Sequence, residues 1–65
     1  MKVDRRKLEI AMARACLNTE ELATLANMPR PTLNNVIVGK KVRTATIGKV
    51  AKALGIDVTE ILADE

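Results

Sequence analysis

Phenylalanine, tryptophan, tyrosine and histidine are all absent from this chain. Without aromatic rings any core must be aliphatic, built from the Leu, Ile, Val, Ala and Met that make up nearly all of the 48% hydrophobic content. Without histidine there is no imidazole switch near neutral pH. Cys16 is the sole cysteine, which excludes an internal disulfide or a cysteine-rich metal cluster and fits a reducing compartment. Its expected role is a small buried hydrophobe. No apolar run is long enough to span a bilayer, and the N-terminal stretch lacks the apolar region of a secretory signal. The expectation is a soluble, cytoplasmic protein. At 65 residues, one domain over 1–65 is expected. A core of that size rarely supplies more than about 3–5 kcal/mol of net stability, so partners matter to it.

Carboxylates are missing from one long stretch. The formal charge is only +3, but residues 27–52 carry Arg30, Lys40, Lys41, Arg43, Lys49 and Lys52 with no Asp or Glu. Residues 1–26 are nearly balanced, and 53–65 are purely acidic. A cationic middle third without local repulsion suits a polyanion, while a merely solvated basic face is the competing explanation.

Proline at 29 and 31 and glycine at 39, 48 and 55 divide the chain into short pieces. Leu8, Ala11, Met12 and Ala15 recur at helical spacing and predict a first helix over about 5–15, with Asp4 as its cap. Asn18 with Glu21 forms a capping-box pattern opening a second helix whose apolar face is Leu22, Leu25 and Ala26; Asn27 can end it. Pro31 suits the first position of a third helix carrying Leu33, Val36 and Ile37, and Gly39 stops it. The run from Gly39 to Arg43 reads as an exposed loop. Thr44 can cap a fourth helix with Ile47, Val50, Ala51 and Leu54 on one side, ended by Gly55. Asp57 then caps a short fifth helix holding Val58, Ile61 and Leu62, and no segment alternates as a strand would.

Two helices joined by a short turn, here T-E-E-L-A-T-L-A-N-M-P-R-P-T-L-N-N-V-I-V-G from Thr19 to Gly39, describe a helix-turn-helix. With Leu22-Ala23, Gly39-Lys40 and Ala51-Lys52-Ala53-Leu54-Gly55, the chain resembles the lambda-repressor-like Cro/C1-type (XRE) regulators from about Leu8 to Leu62. The resemblance implies an all-α, five-helix domain. Its third helix would enter the DNA major groove, usually as a homodimer on a partly palindromic operator. The outward positions of that helix are Arg30, Pro31, Thr32, Asn34 and Asn35. Arg can hold guanine by two bonds and Asn adenine likewise, while Thr serves polar edges or the thymine methyl. Asn18 and Thr19 match the place where family members hold a phosphate, although Glu20 and Glu21 at that end oppose an anion. Lys40, Lys41 and Arg43 match the backbone-tracking loop and should raise affinity without choosing sequence. Arg5, Arg6 and Lys7 form either an N-terminal arm or an exposed helix start.

The chain departs from the family pattern in three places. Pro29 and Pro31 replace a polar cap and a hydrogen-bonding residue, leaving Arg30 expected outside the helix proper. Met12 and Ile37 stand where many members keep a buried Arg and Glu, a joint change that avoids stranding one charge and implies contact between them. Val38 occupies a usually polar position, so the run Val36, Ile37, Val38 must turn one apolar group outward. Val58, Ile61 and the residues near Gly55 match the family's dimer region, with core packing of Ile61 and Leu62 as the alternative.

These observations point to a DNA-binding transcriptional regulator, a repressor, with double-stranded operator DNA as partner and neither cofactor nor metal. An autoregulating antitoxin that also holds a toxin through the acidic stretch Asp57 to Glu65 is one alternative. A helical protein-interaction module without DNA contact is another. No nucleophile and base, carboxylate pair or metal cluster occurs at catalytic spacing, so an enzyme is not expected.

Overall fold

Extended backbone at Asp4 (φ −76°, ψ 119°) and acceptance by its carboxylate from Lys7 N at 2.9 Å start the first helix. The computed structural model describes residues 1–63 as α1 (Arg5–Ala15), α2 (Thr19–Leu25), α3 (Arg30–Ile37), α4 (Thr44–Leu54) and a 3₁₀ turn (Val58–Glu60). Asp64 and Glu65, the end of the acidic stretch, lie outside the described residues. The all-helical expectation holds, but the fifth helix shrinks to a single 3₁₀ turn. Its capping box is intact, with Asp57 and Glu60 each bonding the other's end. The chain must then turn Ile61 into the core and pair Val3 with Leu62 in an antiparallel bridge, which leaves no length for a further turn. That bridge is isolated and builds no strand.

Each α-helix ends in the same way. One residue takes a left-handed conformation, and two successive amides reach back to carbonyls of the last turn. At α1 it is Cys16 (φ 57°), with Cys16 N on Ala13 O and Leu17 N on Met12 O. At α2 it is Asn27 (φ 54°), with Asn27 N on Thr24 O and Met28 N on Ala23 O. Gly39 and Gly55 serve α3 and α4. Cys16 is therefore an exposed capping residue and not the buried hydrophobe its composition class implied. Thr44 is likewise the first residue of α4; Arg43 precedes it in extended conformation without a side-chain cap.

The core draws on every element. Leu8 of α1, Leu22 of α2, Leu33 and Val36 of α3, Ile47 and Val50 of α4, and Ile61 after the 3₁₀ turn are each essentially removed from solvent. Val3 joins them from the N-terminal segment. Leu25, counted by spacing on the inner face of α2, is instead 58% exposed, and Ala23 takes the inner place. Met12 and Ile37 are both half-buried and each packs against this cluster. Among the described residues the ion pair is Arg5–Glu9 at 3.3 Å, an exposed i,i+4 contact worth about 0–1 kcal/mol. Aliphatic burial, at about 25 cal/mol per Å² of apolar area, is what holds the helices. No helix among the described residues is long and apolar enough to cross a membrane.

Candidate nucleic-acid interface

The helix-turn-helix is fixed by the end of α2. The left-handed Asn27 swings Met28 back against the core, and Pro29, extended at ψ 148°, launches α3. Pro29 occupies the cap and Pro31 the second helical position, so Arg30 begins α3 instead of preceding it. Proline at the second position forfeits an amide that has no partner within the helix anyway, so the helix accepts it there. This corrects the expected place of Arg30. It stands in the first turn, and its direction is set by helical geometry.

Leu33 and Val36 anchor α3 inward with Ile37 beside them. Because residues three and four apart share a helix face, the opposite side shows Arg30, Pro31, Asn34 and Asn35, all exposed. Thr32 is only half-buried and sits at the edge of this surface. Val38, 58% exposed, closes the stripe and is the outward apolar residue that the Val36–Val38 run required. Leu33 N on Pro29 O is the first turn's closing bond, and no side chain caps the earlier amides.

At the start of α2, Asn18 and Glu21 complete a capping box, with Glu21 N on Asn18 Oδ1 at 2.8 Å and Asn18 N on Glu21 Oε1 at 3.1 Å. Asn18 thus retains its Nδ2 protons for an outside acceptor. Thr19 is half-buried, which limits how far its hydroxyl can reach. Glu20 is exposed and lines the same surface depression as Arg30, so its negative charge lies close to the outward side of α3.

The loop after α3 carries Lys40, Lys41 and Arg43, all exposed. Lys40 N donates to Asn35 O, binding the start of the loop to the helix end. Val42 turns partly inward between the cations and exchanges hydrogen bonds with Met1, Val42 N on Met1 O at 2.9 Å and Met1 N on Val42 O at 3.1 Å. This attachment to the N-terminal segment has no signature in the sequence, since it depends on backbone groups and not on side-chain type. Arg5 and Arg6 are exposed in the first turn of α1, and Lys7 instead donates to Leu62 O at 3.3 Å. Of the dimer region suggested by resemblance, Ile61 is fully buried, Ile56 and Val58 are half-buried and Gly55 is exposed.

A family model described as the Cro/C1-type HTH DNA-binding domain matches residues 7–65. The chain belongs to this Cro/C1-type helix-turn-helix family. No curated protein sequence matches it. Among solved structures, a mutant of hydroxyethylphosphonate dioxygenase contains a similar fold, with TM-score 0.84 and 25% identity. The match covers 98% of this chain but only 14% of the dioxygenase chain. Oxygenase chemistry is thus a property of that longer protein, within which this Cro/C1-type fold is one small part. For the Cro/C1-type chain itself, α2 and α3 are the pair that gives the family its name, and the cationic loop follows them directly.

Proposed function

We propose that this chain is a sequence-specific transcriptional regulator, a repressor, that binds double-stranded DNA as one domain with α3 in the major groove. The observation that carries the reading is the division of α3 into a fully buried Leu33/Val36 side and an exposed side bearing Arg30, Asn34 and Asn35. Asn34 and Asn35 present amide groups suited to adenine, and Arg30 suits guanine. Pro31 and Thr32 shape the surface against the groove. Lys40, Lys41 and Arg43 after α3, and Asn18 and Thr19 at the start of α2, are assigned to phosphates, which position a protein without reading sequence. The role is binding and not catalysis.

One domain of this size touches too few bases for high selectivity, so two copies on one operator are expected. Selection of binding sites from a random duplex pool tests this reading. It should return two related half-sites about 10 base pairs apart, or a multiple of that spacing. A pool that shows no enrichment would refute it. The exposed Leu25 and Val38 favour a second reading, a helical module that binds protein instead of DNA. Absent or salt-independent duplex binding would select that one.

A further inference from the structure

The first four residues do more than lead into α1. Asp4 N donates to Ile61 O at 2.8 Å and Ala63 N to Lys2 O at 3.1 Å, flanking the Val3–Leu62 bridge. On its other side the same segment exchanges two bonds with Val42. Residues 1–4 are therefore the middle line of a miniature three-line ladder, with the cationic loop at one edge and residues 61–63 at the other. The ladder is anchored from below, because Val3 is 2% exposed and Ile61 fully buried. Val3 O also approaches the turn at Gly39, where a Cβ on the glycine would stand 3.8 Å from it.

A reciprocal pair of bonds between two residues is an antiparallel arrangement, in which the next residues along each line stand opposite one another. Here those residues are Lys2 and Lys41, both exposed. Like charges set opposite each other are unfavourable, and no carboxylate pairs with either among the described residues. Left alone, such a loop would spread to separate its charges. The two bonds with Met1 hold the loop at Val42, between Lys41 and Arg43.

We infer that the segment Met1–Asp4 is a strap that positions the cationic loop for DNA phosphates, so that Ala63, at the far edge of the ladder, controls duplex affinity by way of Lys2 and Val42. The inference rests on the DNA-binding reading above. Its physical basis is preorganisation: a loop already ordered loses less freedom on binding than one that must be ordered by the duplex.

Two proline substitutions each delete one donor from the ladder, Ala63→Pro the bond to Lys2 O and Val42→Pro the bond to Met1 O. Each variant is compared with the unaltered chain for affinity to a random duplex over a range of salt, well below its own melting temperature. If the segment is a strap, affinity should be about 5–10-fold lower for each, corresponding to about one freed residue. The dependence of log affinity on log salt should also be shallower, by about 0.9 for each phosphate contact released. A purely structural role for the bonds would lower the melting temperature and leave the folded protein's salt slope unchanged, which would overturn the proposal. Failure of the unaltered chain to bind duplex would instead strike the DNA-binding reading itself. If neither variant folds, amide exchange of the unaltered chain decides. Val42 N–H should be protected well beyond Lys41 N–H, and equal exchange of the two would refute the strap.

Discussion

Replacing Cys16 by glycine should make the domain more stable. Cys16 sits at φ 57° and ψ 40°, a left-handed conformation enforced by the two amides that close the end of α1. For a residue with a side chain this conformation costs about 1–2 kcal/mol, and glycine escapes that cost. Glycine also gives the unfolded chain more freedom, which takes back about 0.5–1 kcal/mol. The Cys16 side chain is exposed, so little packing is lost with it. The net gain should be about 0.5–1 kcal/mol. In a domain this small, that corresponds to a melting temperature higher by about 2–8 °C. Urea denaturation under reducing conditions, with m-values compared, measures the effect. Cys16→Ala is the control, because it retains the Cβ that causes the strain and should stay within about 0.5 kcal/mol of the parent. If glycine proves equal to or worse than cysteine while alanine matches it, backbone strain is not what Cys16 contributes to that helix end.

Other consequences concern the core, the interface and one carboxylate. Leu33→Ala removes a fully buried side chain from the centre of the domain; the expected loss of about 2–5 kcal/mol is comparable with the total stability, so circular dichroism should show the variant substantially unfolded at room temperature. Asn34→Ala should reduce preference for a selected operator over random duplex by about 1–3 kcal/mol, measured by competition binding, while leaving random-duplex affinity nearly unchanged. Lys41→Ala should do the reverse, weakening binding to all sequences alike and lowering the salt slope by about 0.9. The Thr59 hydroxyl, followed by its backbone amide, holds the Asp57 carboxyl below its ordinary value of 3.8. A carboxylate with a lowered folded value stabilises the fold above the ordinary titration range and loses that contribution as pH falls through the lowered value. NMR titration of Asp57 should therefore show a midpoint that moves upward in Thr59→Ala.

The stops and starts of the helices were largely legible because they depend on local chemistry. Asp4, the Asn18/Glu21 box, Asn27, Gly39 and Gly55 all act where their side chains, or lack of one, suggested. The end of α1 was read in the right place, but Cys16 was not legible as its left-handed cap, because cysteine has no preference for that region and the two amides that close the helix impose it. The fifth helix failed for a similar reason. Its cap was real, but the long-range pairing of Val3 with Leu62 took the residues that would have extended it. Leu25 matched helical spacing and yet faces outward, since α2 has only seven residues and Leu22 with Ala23 already fills its contact.

At the candidate interface the residue types were readable but their setting was not. Asn34, Asn35 and the cations of the loop emerged from the charge pattern and the family resemblance, and all are exposed in the fold. Arg30 moved into the helix because proline tolerates its second position, a detail that the restriction on residues before proline did not decide. The ladder around residues 1–4 is made of backbone groups from three distant parts of the chain, and no periodicity in any one of them announces it.

The most direct trial of α3 as the reading helix is a titration of the isotopically labelled protein with a short duplex, following each backbone amide by NMR. The largest changes should fall on Arg30 to Asn35 and on Lys40 to Arg43, with smaller ones at Asn18 and Thr19. Changes concentrated on the outer faces of α1 and α4, with α3 unaffected, would contradict it.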